Sequence, residues 1–138
     1  MRAMQGLQLT ADLRGCAATQ PVMTDTTLLR TLCLTAVREA GLHAVGELFH
    51  RFTHDSQARP GAAAGITGVV LLAQSHLAVH TWPELGAVTI DVFVCNFQGD
   101  HSRSAHIALD RLIAAFDAAT VSRQELLRAG ATTPALAT

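Results

Sequence analysis

Between Leu71 and Glu84 the chain reads LLAQSHLAVHTWPE, an apolar, strand-like run that carries one serine and two histidines. A serine hydroxyl becomes a nucleophile once a base takes its proton, and imidazole is the side chain suited to that near neutral pH. His76 and His80 also raise the question of a metal. Four residues along a strand span ~13 Å, too far for two ligands of one zinc, whereas the same spacing on a helix would converge. The alternation from Leu77 to Trp82 predicts a strand, so no metal is expected. Hydrogen-bonded sheet histidines are the plainer alternative for both.

A second reactive group follows downstream. Pro83-Glu84-Leu85-Gly86 has turn composition, and Ala87 to Val94 resumes strand character through Val88, Ile90, Val92 and Val94. If residues 83–86 close an antiparallel hairpin in register, Gln74 faces Cys95 and Ser75 faces Val94. Directly opposed residues lie only ~5 Å apart, so the Ser75 hydroxyl and the Cys95 thiol become neighbours. The alternative for a lone cysteine is a small buried strand residue.

Composition narrows the chemistry. All 10 basic residues are arginine. Without lysine the chain has no Schiff-base anchor for pyridoxal phosphate, so amine chemistry would need another electrophile. Cys16, Cys33 and Cys95 form an odd set without CxxC spacing, against a disulfide framework and a cysteine-rich zinc module. A net charge of −1 and a pI near 6.6 leave no basic footprint for nucleic acid and no polybasic membrane patch. The start of the chain leads into alternation rather than a continuous apolar signal core, and no apolar run approaches the roughly 18 residues of a span. A soluble, cytoplasmic protein is the expectation.

The elements that must position these residues follow from periodicity. Leu7, Leu9, Ala11 and Leu13 alternate with polar residues, the pattern of a half-buried strand that Gly15 ends. Thr24 or Asp25 can cap a helix whose apolar face is Leu28, Leu29, Leu32, Ala36, Val37 and Ala40, with Cys33 beside that face and Gly41 at its stop. Strands are predicted over residues 43–52, 66–73, 77–82 and 87–94, a loop over 53–65, a helix over 102–116 packing Leu109, Leu112, Ile113 and Phe116, and a last strand over 121–127. A length of 138 residues with 49% hydrophobic content suits one domain, over 1–130, with a disordered tail over 131–138. The order β-α-β-β-β-α-β predicts an α+β fold, a two-layer sandwich of a mainly antiparallel sheet with both helices on one face.

Four segments then carry a family resemblance: Phe49-His50-Arg51-Phe52, Ile66-Thr67-Gly68-Val69-Val70, Ser75-His76-Leu77-Ala78-Val79-His80-Thr81-Trp82-Pro83-Glu84 and Asp91-Val92-Phe93-Val94-Cys95. Together they resemble the bacterial S-adenosylmethionine decarboxylase proenzymes, most specifically in the Ser-His-x-x-x-His-Thr-Trp-Pro-Glu block, and more weakly from Gly6 to about Leu127. The resemblance implies a self-processing pyruvoyl enzyme, which would supply the electrophile that the missing lysine does not. Ser75 would attack the carbonyl of Gln74, the ester would undergo β-elimination, and the chain would split between residues 74 and 75 to leave a covalent pyruvoyl group. That ketone would take the amine of S-adenosylmethionine as a Schiff base and act as electron sink when carbon dioxide leaves, giving the aminopropyl donor for spermidine synthesis. By the same match His80 is the base for elimination, Thr67 supports processing where the family usually has serine, and Cys95 is the proton donor to the decarboxylated carbon. Phe52 and Trp82 are candidates to stack on adenine, and Glu84 to meet the ribose hydroxyls or the sulfonium. Phe49 reads better as a core aromatic. Family members are dimers of processed protomers, so the site is expected to draw residues from both subunits.

Two residues depart from the family pattern. Gln74 stands where glutamate usually precedes the processed serine; the acyl shift uses the residue's carbonyl, so cleavage remains chemically open. Gln8 stands where the first strand commonly carries histidine. The loop over 53–65, longer than is usual, adjoins Phe52 and bears on the substrate pocket. Two alternatives therefore remain: a pyruvoyl decarboxylase of another amino acid, such as arginine or ornithine, and an unprocessed, non-catalytic partner subunit.

Overall fold

The computed structural model describes residues 5–52 and 64–129. Most of the predicted 53–65 loop and the 131–138 tail lie outside the described residues.

Six strands and two helices form, each at a predicted segment: β1 (Gln5–Arg14), α1 (Thr26–Glu39), β2 (Ala44–Arg51), β3 (Ile66–Leu72), β4 (Ser75–Trp82), β5 (Ala87–Cys95), α2 (Ser102–Phe116) and β6 (Thr120–Ala129); four strands lie between the helices, one more than the order β-α-β-β-β-α-β counts. The strands make one antiparallel sheet in the order β2-β3-β4-β5-β1-β6. Both helices pack on one face, against a core to which Leu9 and Leu13 of β1, Val70 of β3, Leu77 and Val79 of β4 and Ile90 and Val92 of β5 all contribute. This is the two-layer α+β sandwich predicted from the pattern.

Local signals explain the boundaries. Asp25 caps α1: its Oδ1 accepts hydrogen bonds from the N–H groups of Thr27 (2.9 Å) and Leu28 (3.1 Å). The helix buries Leu29, Cys33, Ala36 and Val37, so its inward stripe is centred one residue later than expected. Leu28, predicted on the apolar face, is 42% exposed, because a step of one residue turns it about 100° away from Leu29. Cys33 lies at the centre of the stripe, and burial pushes its thiol pKa up to about 12. Pro83–Leu85 forms a single 3-10 turn closed by Gly86 at φ 61°, a left-handed conformation that costs glycine little.

The predicted last strand is present and longer, but its described side chains are all exposed. It is an edge strand, tied to α2 by an Arg123–Asp110 ion pair (2.7 Å) and a His106–Glu125 contact (3.3 Å) rather than by a buried face. The sheet face opposite the helices is uncovered in the single chain. It exposes Leu48 (69%), Leu71, Trp82 and Leu126, with Phe52 at its margin.

Candidate active site

The β4–β5 hairpin adopts the register inferred from its turn: His76 pairs with Phe93, His80 with Thr89 and Trp82 with Ala87. Continuing that ladder brings Ser75 to the end of β5. There the Cys95 N–H donates to Ser75 Oγ at 3.1 Å. The serine and the cysteine are neighbours through the Cys95 backbone, which holds the hydroxyl, while strand parity turns the thiol to the uncovered face with Asp91 and Phe93.

On the other side of Ser75 the chain turns in two residues. Leu72 pairs with Ser75, leaving Ala73 and Gln74 as the whole loop between β3 and β4. Gln74 takes φ 58°, a left-handed conformation that a residue with a Cβ adopts at a cost of about 1–2 kcal/mol. The Gln74–Ser75 bond therefore leaves a strained residue at an exposed hairpin tip.

Strand parity separates this serine from the other predicted groups. Ser75 shares the face of Leu77 and Val79, toward the helices, while His76, Ala78, His80 and Trp82 share the uncovered face. Five residues of strand put His80 ~17 Å further along, at the opposite end of the sheet. There His80 Nδ1 and Thr67 Oγ1 are hydrogen-bonded at 3.0 Å across the β3–β4 pair, and the His80 ring stacks on Trp82 with centroids 5.7 Å apart.

Phe52, Thr67, His80, Trp82 and Glu84 line one open cavity of about 340 Å3. Five residues singled out in the sequence thus come together, and they come together away from Ser75 and Cys95. An apolar ring pair, a carboxylate and a hydrogen-bonded imidazole in one recess suit a ligand with a flat ring system and a polar or cationic part. The recess is shaped partly by glycine: Phe52 N–H donates to Gly65 O (2.9 Å), and a Cβ on Gly65 would run into the Thr81 carbonyl. The buried Thr81 hydroxyl donates to Met23 O (2.8 Å) and accepts from Ile66 N–H (2.9 Å), which pins the cavity floor to the chain ahead of α1.

Phe49 packs against the core on the helix side, as expected of a core aromatic. Gln8 lies between Phe93 and Leu126 on the uncovered face. Phe93 itself stacks on His76 (5.5 Å) and carries the Arg128 guanidinium 5.6 Å from its ring centroid.

Sequence reasoning missed two side chains at Ser75. His43, in the α1–β2 link, and His101, just before α2, line a smaller cavity of about 160 Å3 with Ala73 and Ser75. Neither falls in a periodic segment. The usable signal was topological: the α1–β2 link, the β3–β4 turn and the β5–α2 link must all emerge at one end of an antiparallel sheet. Among the described residues, no group of three or more His, Cys, Asp or Glu is placed to hold a metal ion, and no helix is long and apolar enough to cross a membrane.

The chain is similar in sequence and fold to known proteins. Residues 7–129 match the family model of S-adenosylmethionine decarboxylase. The S-adenosylmethionine decarboxylase proenzyme of Acidithiobacillus ferrooxidans is 36% identical over 128 residues, covering 93% of this chain and 84% of that protein. That of Pseudomonas paraeruginosa is 35% identical over 107 residues, covering 78% of this chain and 60% of its own length. Among solved structures, the adenosylmethionine decarboxylase from Aquifex aeolicus superposes with a TM-score of 0.73 at 33% identity, covering 91% of each chain.

Proposed function

This chain belongs to the S-adenosylmethionine decarboxylase family, and from that premise we propose that it is a self-processing decarboxylase of S-adenosylmethionine, supplying the aminopropyl donor for spermidine synthesis. The observation that carries the reading is the setting of Ser75, with its hydroxyl held by Cys95 N–H directly after a strained Gln74. Nothing in the comparisons favours the arginine, ornithine or partner-subunit alternatives.

The residues fit a pyruvoyl group at position 75. Attack of Ser75 Oγ on the Gln74 carbonyl carbon converts the peptide bond into an ester and relieves the two-residue turn. Loss of the Ser75 α-proton then expels the residue 74 carboxylate, the chain divides into 1–74 and 75–138, and the dehydroalanine left at position 75 takes up water and releases ammonia to give the pyruvoyl terminus. The pyruvoyl ketone, once formed, supplies the electron sink for decarboxylation. Cys95 sits beside it to return a proton to the substrate carbon. Phe52 and Trp82 hold the adenine, and Glu84 meets the ribose hydroxyls or the sulfonium.

The ~17 Å between Ser75 and the Thr67–His80 pair is resolved by a second copy. The uncovered sheet face, with Leu48, Leu71 and Leu126 exposed, is the surface through which two protomers pair. In such a homodimer Thr67, His80, Phe52, Trp82 and Glu84 of one protomer complete the Ser75 and Cys95 of the other. The protein works in the cytoplasm, without metal, nucleic acid or membrane.

Intact mass of the purified chain, with no substrate added, tests the reading. Two fragments meeting between Gln74 and Ser75, the second with a pyruvoyl rather than a serine terminus, are expected; a single 14.6 kDa species after prolonged incubation rules it out.

A further inference from the structure

The small cavity beside Ser75 has no role in the scheme above, and it holds two imidazoles. Resting on the self-processing reading, we propose that His101 is the base for the first step of cleavage, the acyl shift, while His80 serves only the second, the elimination. His101 takes the Ser75 hydroxyl proton as Oγ bonds to the Gln74 carbonyl carbon. It then delivers that proton to the Ser75 nitrogen as the C–N bond breaks. One bond forms, one breaks, the proton passes through the ring, and no redox partner is needed.

Three observations support the division. The Ser75 side chain shares the helix-side face of β4, whereas His80 is on the uncovered face, through which a partner protomer would bring it. A hydroxyl and an α-hydrogen leave the tetrahedral centre of a strand residue in different directions, so two bases on two faces match two proton transfers. The small cavity is shared by Ser75 and His101 themselves.

His101 is also positioned by the residue after Cys95. Its backbone N–H donates to Asn96 Oδ1 (2.8 Å), Asn96 Nδ2 donates to Ser102 Oγ (3.0 Å), and Asn96 N–H is held by Gln5 O (2.7 Å). One continuous stretch of backbone thus holds the Ser75 hydroxyl, through Cys95 N–H, and the backbone of His101, whose residue lines the same cavity. The neighbouring titratable groups are Asp100, whose carboxylate is stabilised chiefly by hydrogen bonds from Ser102, and His43, which lines the same cavity.

The experiment follows unsplit chain, ester and mature fragments by mass, trapping the ester with hydroxylamine, for wild type, His101→Gln, His43→Gln and His80→Gln. Expected are a wild type that splits, a His80→Gln variant that accumulates hydroxylamine-sensitive ester, and a His43→Gln variant within about twofold of wild type. His101→Gln should split about a hundredfold more slowly, accumulate no ester and recover with added imidazole. His101 is exposed, so the variant should fold, which its unfolding midpoint checks. The assignment is overturned by a His101→Gln chain that splits at the wild-type rate, that stalls at the ester, or that is slowed without recovery in imidazole, and equally by loss of cleavage in His43→Gln instead. A wild-type chain that never splits overturns the self-processing reading and this one with it.

Discussion

At the scale of single residues, Ser75 and Cys95 share a hydrogen bond yet have separable tasks. Ser75→Ala removes the nucleophile and should abolish both cleavage and activity. Cys95→Ala keeps the backbone N–H that holds Ser75 Oγ, so fragments should form at close to the wild-type rate while turnover falls by about two orders of magnitude or more. Electrophoresis and carbon dioxide release read the two effects independently; normal turnover in Cys95→Ala would remove the thiol from the mechanism. The adjacency of Ser75 and Cys95 was legible through the 83–86 turn, whereas His80, Phe52, Trp82 and Glu84 were singled out by the family resemblance. His43 and His101 were not, because links between elements have no period to betray where they point.

At the scale of elements, glycines and a buried thiol decide how closely the layers approach. Phe49 is directly opposite Gly68, and a Cβ there would collide with its ring. Gly68→Ala should therefore cost about 1–3 kcal/mol in denaturant unfolding, through overpacking of the β2–β3 pair next to Thr67. An unchanged midpoint would mean that the ring swings aside freely. Cys33 offers a pH test on α1. Its thiol is raised to about 12 in the folded chain from an ordinary 9.0, so the native state holds the proton more tightly. Its contribution is fully present below pH 9 and declines by roughly 1 kcal/mol per pH unit as pH climbs from 9 toward 12. Comparing wild type with Cys33→Ala at pH 7 and pH 10.5 isolates it: the wild-type advantage should shrink at the higher pH. The α1 stripe was misjudged by one residue because leucine is apolar wherever it lies, and only packing tells an inward Leu29 from an outward Leu28.

At the scale of the whole molecule, one protomer holds two half-sites at opposite ends of its sheet. Co-expression of Ser75→Ala with His80→Ala chains tests whether they complete each other across a dimer. Neither variant should mature alone, but in mixed dimers the His80→Ala chain receives an intact Thr67–His80 pair and should split. Recovery of roughly a quarter of wild-type activity is expected if partners pair at random, since half the dimers are mixed and each has one whole site. No recovery would mean that each chain serves itself. Leu48→Asp, on the uncovered face, should lower both the dimer fraction in sedimentation and the maturation rate.

What the sequence determined by itself was everything local or periodic: the element order, the cap at Asp25, the turn at 83–86 and, through that turn, the register that sets Ser75 beside Cys95. A tight turn leaves an antiparallel pair little choice of partners, so adjacency in the chain becomes adjacency in space. Tertiary structure alone decided the rest. It gathered Phe52, Thr67, His80, Trp82 and Glu84 into one cavity, carried that cavity ~17 Å from the serine, and brought His43 and His101 to the serine instead. Those relations join strands and links distant in the chain, and they depend on which end of the sheet each strand enters and which face each side chain takes.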